Sequence, residues 1–194
     1  KLNDGYTVFG LEGDFIITDS IVKYGIWEGN VGMVLREVLP SGGFAIDIGA
    51  NIGCHAGLMS VIVGAEGAVW AFEPVPHLAE ALRKMKGING FSQLEVMECA
   101  LSDSERTGSM FIHRVNAGGN GLEDSPSSED NVSVRVRTLD QVLAESPQAS
   151  RKVDLIKMDI EGHENEAFKG ALNTISKWRP HMIFEFAPAN YAAR

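Results

Sequence analysis

The chain has 194 residues, with 17 lysines and arginines against 26 aspartates and glutamates, for a net charge of −9. That length suits one domain and buries enough surface to fold without a metal or disulfide staple. With 44% hydrophobic and 22% charged residues, wholesale disorder, collagen-like repeats and coiled coils are excluded, and the acidic balance opposes a nucleic-acid partner, whose phosphates call for Lys and Arg.

The first residues read as short extended pieces, Tyr6-Thr7-Val8-Phe9 and Phe15-Ile16-Ile17, around a turn at Glu12-Gly13-Asp14. Val31, Val34, Leu35, Val38 and Leu39 then recur on one helical face, and Pro40-Ser41-Gly42-Gly43 ends that helix. From Phe44 the rhythm becomes strand, helix, strand. Phe44–Ile48 is a first strand, Cys54–Val63 a helix, Val69–Phe72 a second strand, Leu78–Met85 a helix and Leu94–Met97 a third strand. Met110-Phe111-Ile112 and the alternating Val132–Arg137 predict an antiparallel pair, separated by a Gly-, Ser- and acid-rich tract from Arg114 to Asn131. The α/β rhythm resumes with a fourth strand over Val153–Met158. A helix over Glu164–Trp178 follows, with Phe168, Ala171, Leu172 and Ile175 inward, then a fifth strand over His181–Phe186. Alternating apolar strands and helices imply an α/β fold, a mostly parallel sheet with helices on both faces. The expected strand order is 3-2-1-4-5, with Ile46 beside Ile156. We expect one domain over 1–194, an N-terminal extension over 1–43 and an α/β core over 44–194.

Cys54 and Cys99 form no C-x-x-C pair, which opposes a zinc ribbon or a disulfide framework. No apolar run reaches the roughly 18 residues of a spanning helix, and no signal peptide opens the chain. The expected setting is therefore reducing and cytoplasmic, without a membrane partner. The chain begins at Lys1 rather than Met and stops at Arg194, so a fragment is expected.

Asp47-Ile48-Gly49-Ala50-Asn51-Ile52-Gly53 lies between a strand and a helix. Its glycines allow a tight turn and close approach of backbone to ligand, but the spacing is neither the dinucleotide fingerprint nor a phosphate loop with its lysine. Asp47 at the strand end suits a ligand carrying positive charge. Glu73 closes the second strand, where an acid can accept both hydroxyls of a ribose. Cys99 and Ala100 follow the third strand, where an adenine would lie. Each signal has a bland reading: a plain tight turn, a helix cap, a small buried thiol. Together they fall at the carboxyl ends of successive parallel strands, where ligands of open α/β sheets bind. A fourth string, Lys157-Met158-Asp159-Ile160-Glu161-Gly162-His163-Glu164, puts Asp159, Glu161, His163 and Glu164, four ionisable groups, just past Lys157 at the end of strand four. Its bland reading is a capping sequence in which Glu161 and Glu164 serve the helix dipole.

The strings Asp47–Gly53 and Lys157–Glu164, with Phe72-Glu73-Pro74, resemble the FkbM-type methyltransferases. The resemblance runs from Gly25-Ile26-Trp27-Glu28 to Phe186 and includes Asn116-Ala117-Gly118-Gly119-Asn120 and Val136-Arg137-Thr138-Leu139-Asp140. It implies a Rossmann-like methyltransferase fold with an inserted antiparallel hairpin, S-adenosylmethionine as cofactor, and O-methylation of a hydroxyl on a sugar or natural product. It also implies that the segment at Glu28 approaches the cofactor, and that a further antiparallel hairpin after strand five falls beyond Arg194. The expected cofactor-binding residues are Glu28, Asp47, Gly49, Asn51, Gly53, Glu73, Cys99 and Ala100.

Methyl transfer to an alcohol needs alignment and a base within hydrogen-bond reach. Asp159 has the better position and His163 the better unperturbed titration range. A divalent ion on Asp159, Glu161 and Glu164 is the alternative, opposed because helical spacing points those side chains apart; no metal is expected. His55, just after the glycine turn, is read as a cofactor neighbour or, more commonly for such a position, as helping its helix start; His77 and His181 read as surface or edge residues, and His113 as a substrate neighbour. Arg83, Lys84 and Lys86 read as a solvated face, Trp70 and Trp178 as core. The tract from Arg114 to Asn131 is expected to close over the filled site. Two rivals remain: a nicotinamide-dependent oxidoreductase, which the glycine spacing opposes, and a non-catalytic nucleoside- or S-adenosylmethionine-binding module.

Overall fold

The computed structural model describes residues 1–11, 13–111, 121–123 and 131–185. In chain order the elements are α1 (Ile17–Tyr24), α2 (Gly29–Val38), β1 (Phe44–Ile48), α3 (Cys54–Val63), β2 (Ala68–Phe72), α4 (Pro76–Asn89) and β3 (Leu94–Met97). There follow β4 (Ala100–Leu101), β5 (Arg106–Phe111), β6 (Gly121–Glu123), β7 (Asn131–Arg137) and α5 (Leu139–Ala144). The chain continues through β8 (Leu155–Met158), α6 (Glu164–Lys169), α7 (Leu172–Trp178) and β9 (His181–Phe184).

β1 and β2 are buried at every position. Strands of that kind need cover on both faces, which is why they read as unbroken apolar runs. The main sheet has the order β3-β2-β1-β8-β9 with every pairing parallel, the expected 3-2-1-4-5 arrangement. Ile46 stands in register with Ile156. Side chains alternate across the sheet. Phe44, Ile46 and Ile48 join a layer with α5 and α6, whereas Ala45 joins one with α2, α3 and α4. Asp47 shares the face of Ala45, and Lys157, its register partner, shares the face of Leu155. Two charged residues thus enter the buried sheet on one face.

The antiparallel pair does form between β5 and β7. It neither extends the main sheet nor lies alone, but belongs to a second sheet of order β4-β7-β5-β6. Ala100, Met110, Val134 and Val136 tie that sheet to the core. Most of the tract from Arg114 to Asn131 lies outside the described residues, so its expected closure does too; residues 121–123 within it are β6.

Two element predictions need correction. Ile17 opens a helix rather than ending a strand. The Asp14 carboxylate accepts from the backbone N–H groups of Ile16, Ile17 and Thr18 at 3.3, 3.4 and 2.8 Å, satisfying a helix start that its apolar run disguised. The helix expected over Glu164–Trp178 is two helices broken at Gly170, where any Cβ would strike the carbonyl oxygen of Ser102. The break rotates the second helix, so Leu172 is exposed rather than inward. Tyr6 donates to the Cys54 carbonyl, which fastens the N-terminal segment to the start of α3.

Candidate active site

The turn after β1 is built on left-handed backbone. Gly49, Asn51 and Gly53 have φ of +78°, +52° and +92°. At Gly49 the requirement is also steric, because a Cβ there would overlap the carbonyl oxygen of Asp159. The glycine turn and the string after β8 are therefore in backbone contact. Gly53 packs its bare Cα against Leu82 and Met85 of α4.

Two cavities meet at this contact. The first is lined by Asn51, Glu73, Leu78, Cys99, Ala100 and His163, among others. Glu73 is buried, and its two carboxylate oxygens accept from the backbone N–H groups of Asn51 and Val75, each at 2.9 Å. Burial pushes its carboxyl up to about 7, against those two hydrogen bonds. Burial likewise raises the Cys99 thiol to about 11, so it faces the cavity as a neutral group. His163 is buried with Nε2 2.9 Å from Ser102 Oγ.

The second cavity has an apolar wall of Ile16, Ile17, Trp27, Val31, Ile183 and Phe184, facing Glu28, His55, Lys157, Asp159, Glu161 and Glu185. Gly49, Asn51, Asp159 and Glu161 border both cavities. Lys157 is buried with Nζ 3.5 Å from Asp47 Oδ1 and 3.4 Å from Asp159 Oδ2. Burial opposes its charge, but Asp47, Asp159 and Glu28 outweigh that and hold the ammonium above the usual lysine range. His55 is also buried; burial, with Lys157 adding to it, lowers its imidazole to about 3, so it is neutral. Its Nε2 lies 3.6 Å from Glu28 Oε2. Burial first, then the charges of Asp159, Glu185 and Glu164, raises Glu161 to about 7.

Six of the eight expected cofactor residues line these cavities: Glu28, Gly49, Asn51, Glu73, Cys99 and Ala100. Asp47 and Gly53 line neither; Asp47 is fully buried against Lys157, and Gly53 packs on α4. Asp159 stands where the cavities meet, whereas His163 borders only the first. Glu164 is buried and braces the turn before α6 rather than capping that helix from solvent: its Oε1 accepts from the N–H groups of Ile160 and Gly162, both at 3.2 Å. The carboxylate that joins Asp159 and Glu161 is instead Glu185, all three offering oxygens within 4.8 Å of one another. Lys157 and Glu185 carry no role expected from the sequence, and His55 carries that of a helix starter or a cofactor neighbour. The signals were a lysine inside an apolar strand and an acid at the carboxyl end of β9, the same position that marked Glu73.

Residues 47–193 match the methyltransferase FkbM domain family, and the chain belongs to that family. It is 28% identical over 195 residues to the methyltransferase sdnD of Sordaria araneosa, covering 81% of this chain and 75% of the relative. It is 28% identical over 151 residues to the 2-O-methyltransferase NoeI of Sinorhizobium fredii, covering 69% of this chain and 59% of the relative. It is 29% identical over 129 residues to the hexuronic acid methyltransferase AglP of Haloferax volcanii, covering 66% of this chain and 50% of the relative. The chain thus spans half to three-quarters of these relatives. The class is that of methyltransferases that use S-adenosylmethionine. The residues present fit that cofactor on two observations. The turn at Gly49 leaves bare backbone where the cavities meet. Each Glu73 oxygen, accepting one backbone N–H, has a lone pair for a second donor.

Proposed function

We propose that this chain methylates a hydroxyl of a small-molecule acceptor, a sugar or another natural product. The observation that carries this reading is the seam of two cavities. A small, largely apolar chamber borders Asp159, and a second, larger chamber with acids on one side and an apolar wall on the other begins there. The 2-O-methyltransferase and hexuronic acid methyltransferase relatives support an oxygen acceptor of sugar type.

S-adenosylmethionine supplies an electrophilic methyl group. In this reading Glu73 takes the ribose hydroxyls, Cys99 and Ala100 flank the base, and Glu28 with the turn at Gly49 and Asn51 serves the amino-acid end. Asp159 orients the acceptor hydroxyl and takes its proton as the oxygen accepts the methyl. Its side chain is 35% exposed, so the proton leaves to solvent afterwards. His163 is the second candidate base, though Ser102 already engages its Nε2. Trp27, Ile183 and Phe184 help to exclude water, which would otherwise weaken the alignment of hydroxyl and methyl.

The test is transfer of labelled methyl to a panel of sugar and polyketide alcohols by the unsubstituted protein, Asp159→Asn and His163→Ala. A general base contributes typically 10²–10⁴-fold. Asp159→Asn is expected to lose turnover on that scale while cofactor affinity stays within a few-fold. Full turnover in Asp159→Asn removes it as base; lost cofactor binding moves it into the cofactor shell.

A further inference from the structure

Lys157 is a lysine shut away from solvent, 5% exposed, and the only lysine or arginine lining the second cavity among the described residues. Its position follows from register. Asp47 and Lys157 are direct partners on adjacent parallel strands, and Asp159 lies two residues on, where the strand leaves the sheet. The ammonium therefore spans a carboxylate fully inside the protein and one that reaches the cleft, at 3.5 and 3.4 Å.

The other charged or titratable groups acting on it come from every neighbouring element. Glu28 precedes α2, Cys54 and His55 are in α3, Glu73 follows β2, and Glu185 follows β9. Glu161 and Glu185 bring their oxygens within 4.8 Å of Asp159. Like charges so close favour protonation of one of them, and an adjacent cation opposes that. A buried ion pair is weak evidence for a purely stabilising role, and the Asp47–Lys157 pair alone would not require a contact to Asp159.

We propose that Lys157 is a positioning residue for methyl transfer: its ammonium occupies one oxygen of Asp159, fixing the carboxylate and leaving the other oxygen to face the acceptor hydroxyl. This rests on the reading of Asp159 as the acceptor-facing group. Lys157 itself exchanges no proton with the acceptor. It links the acid beneath the glycine turn to the acid that meets the acceptor, so cofactor side and acceptor side share one cation.

The test compares Lys157→Met, Lys157→Arg and the double variant Asp47→Asn/Lys157→Met, which removes both halves of the buried pair and so protects folding. Two readouts are taken on the full chain: the pH profile of methyl transfer, and the pH titration of isotope-labelled Asp159 carboxyl by NMR. Loss of an adjacent cation moves such a transition by roughly one to three pH units. In both Met variants the acid limb of the rate profile and the Asp159 transition are expected to rise by at least about one unit. Activity is then recovered at higher pH, and Lys157→Arg restores both. An unmoved Asp159 transition in the Met variants overturns the proposal, as does a loss of rate equal at every pH. If the unsubstituted protein methylates none of the acceptors, the functional reading fails on its own, and the NMR titration still decides the role of Lys157.

Discussion

Glu73 has two roles that pull its proton in opposite directions. Holding two backbone N–H groups, and two ribose hydroxyls in our reading, favours the carboxylate; burial favours the acid and sets the balance at about 7. Folding therefore holds this proton between the ordinary value of 4.5 and about 7, where the unfolded chain has released it. Stability from this group is full below the lower value and is lost as pH rises through the upper one, by at most about 3 kcal/mol. Melting of the cofactor-free protein between about pH 5 and pH 8 is expected to show that decline, and Glu73→Gln to flatten it. Cofactor affinity runs the other way, strengthening as the carboxylate ionises. Removing a buried acceptor costs on the order of 2 kcal/mol, so Glu73→Ala is expected to weaken cofactor binding by roughly thirtyfold in calorimetry. Equal affinity would take Glu73 out of the ribose site. The acid was legible in the sequence because it ends a strand. The proton balance was not, since it depends on burial by the folded chain and on a backbone donor, Asn51, from a distant segment.

At the scale of elements, the glycine turn and the string after β8 act as one unit, because Gly49 and the Asp159 carbonyl touch. Gly49→Ala adds a Cβ at φ +78° and also strikes that main-chain oxygen. Gly42→Ala is the control, since φ is +72° and nothing lies within 4 Å. The left-handed conformation costs roughly 1–2 kcal/mol in either, and overpacking adds about 1–3 kcal/mol at Gly49 alone. Denaturant unfolding is expected to show the larger loss at Gly49, with turnover falling there and not at Gly42. Equal losses would mean that the turn and Asp159 move independently. The sequence showed both strings but not their contact, which only the pairing of β1 with β8 creates. It also hid α1, whose apolar run Ile16-Ile17 reads as strand until Asp14 is seen to cap it. The Gly170 break was hidden for a similar reason: its cause, the Ser102 carbonyl, is distant in the chain.

On the scale of the whole molecule, strand order was readable because unbroken apolar strands alternating with helices admit few arrangements with right-handed crossovers. That order opens a cleft at the carboxyl ends of β1 and β8, and the motif residues fall there. The second cavity was less legible. Its wall comes from Ile16 and Ile17 at the N-terminal side and Ile183 and Phe184 in β9, segments that carry no motif. The central claim is that the nucleoside fills the first cavity and the reacting methyl meets the acceptor at Asp159. The most direct measurement is a crystal structure with S-adenosylhomocysteine. The expected result is ribose hydroxyls on Glu73, the base beside Cys99 and Ala100, and the sulfur facing Asp159 across Gly49. A nucleoside seated against Trp27 and Phe184 in the second cavity, or a sulfur turned away from Asp159, would contradict it.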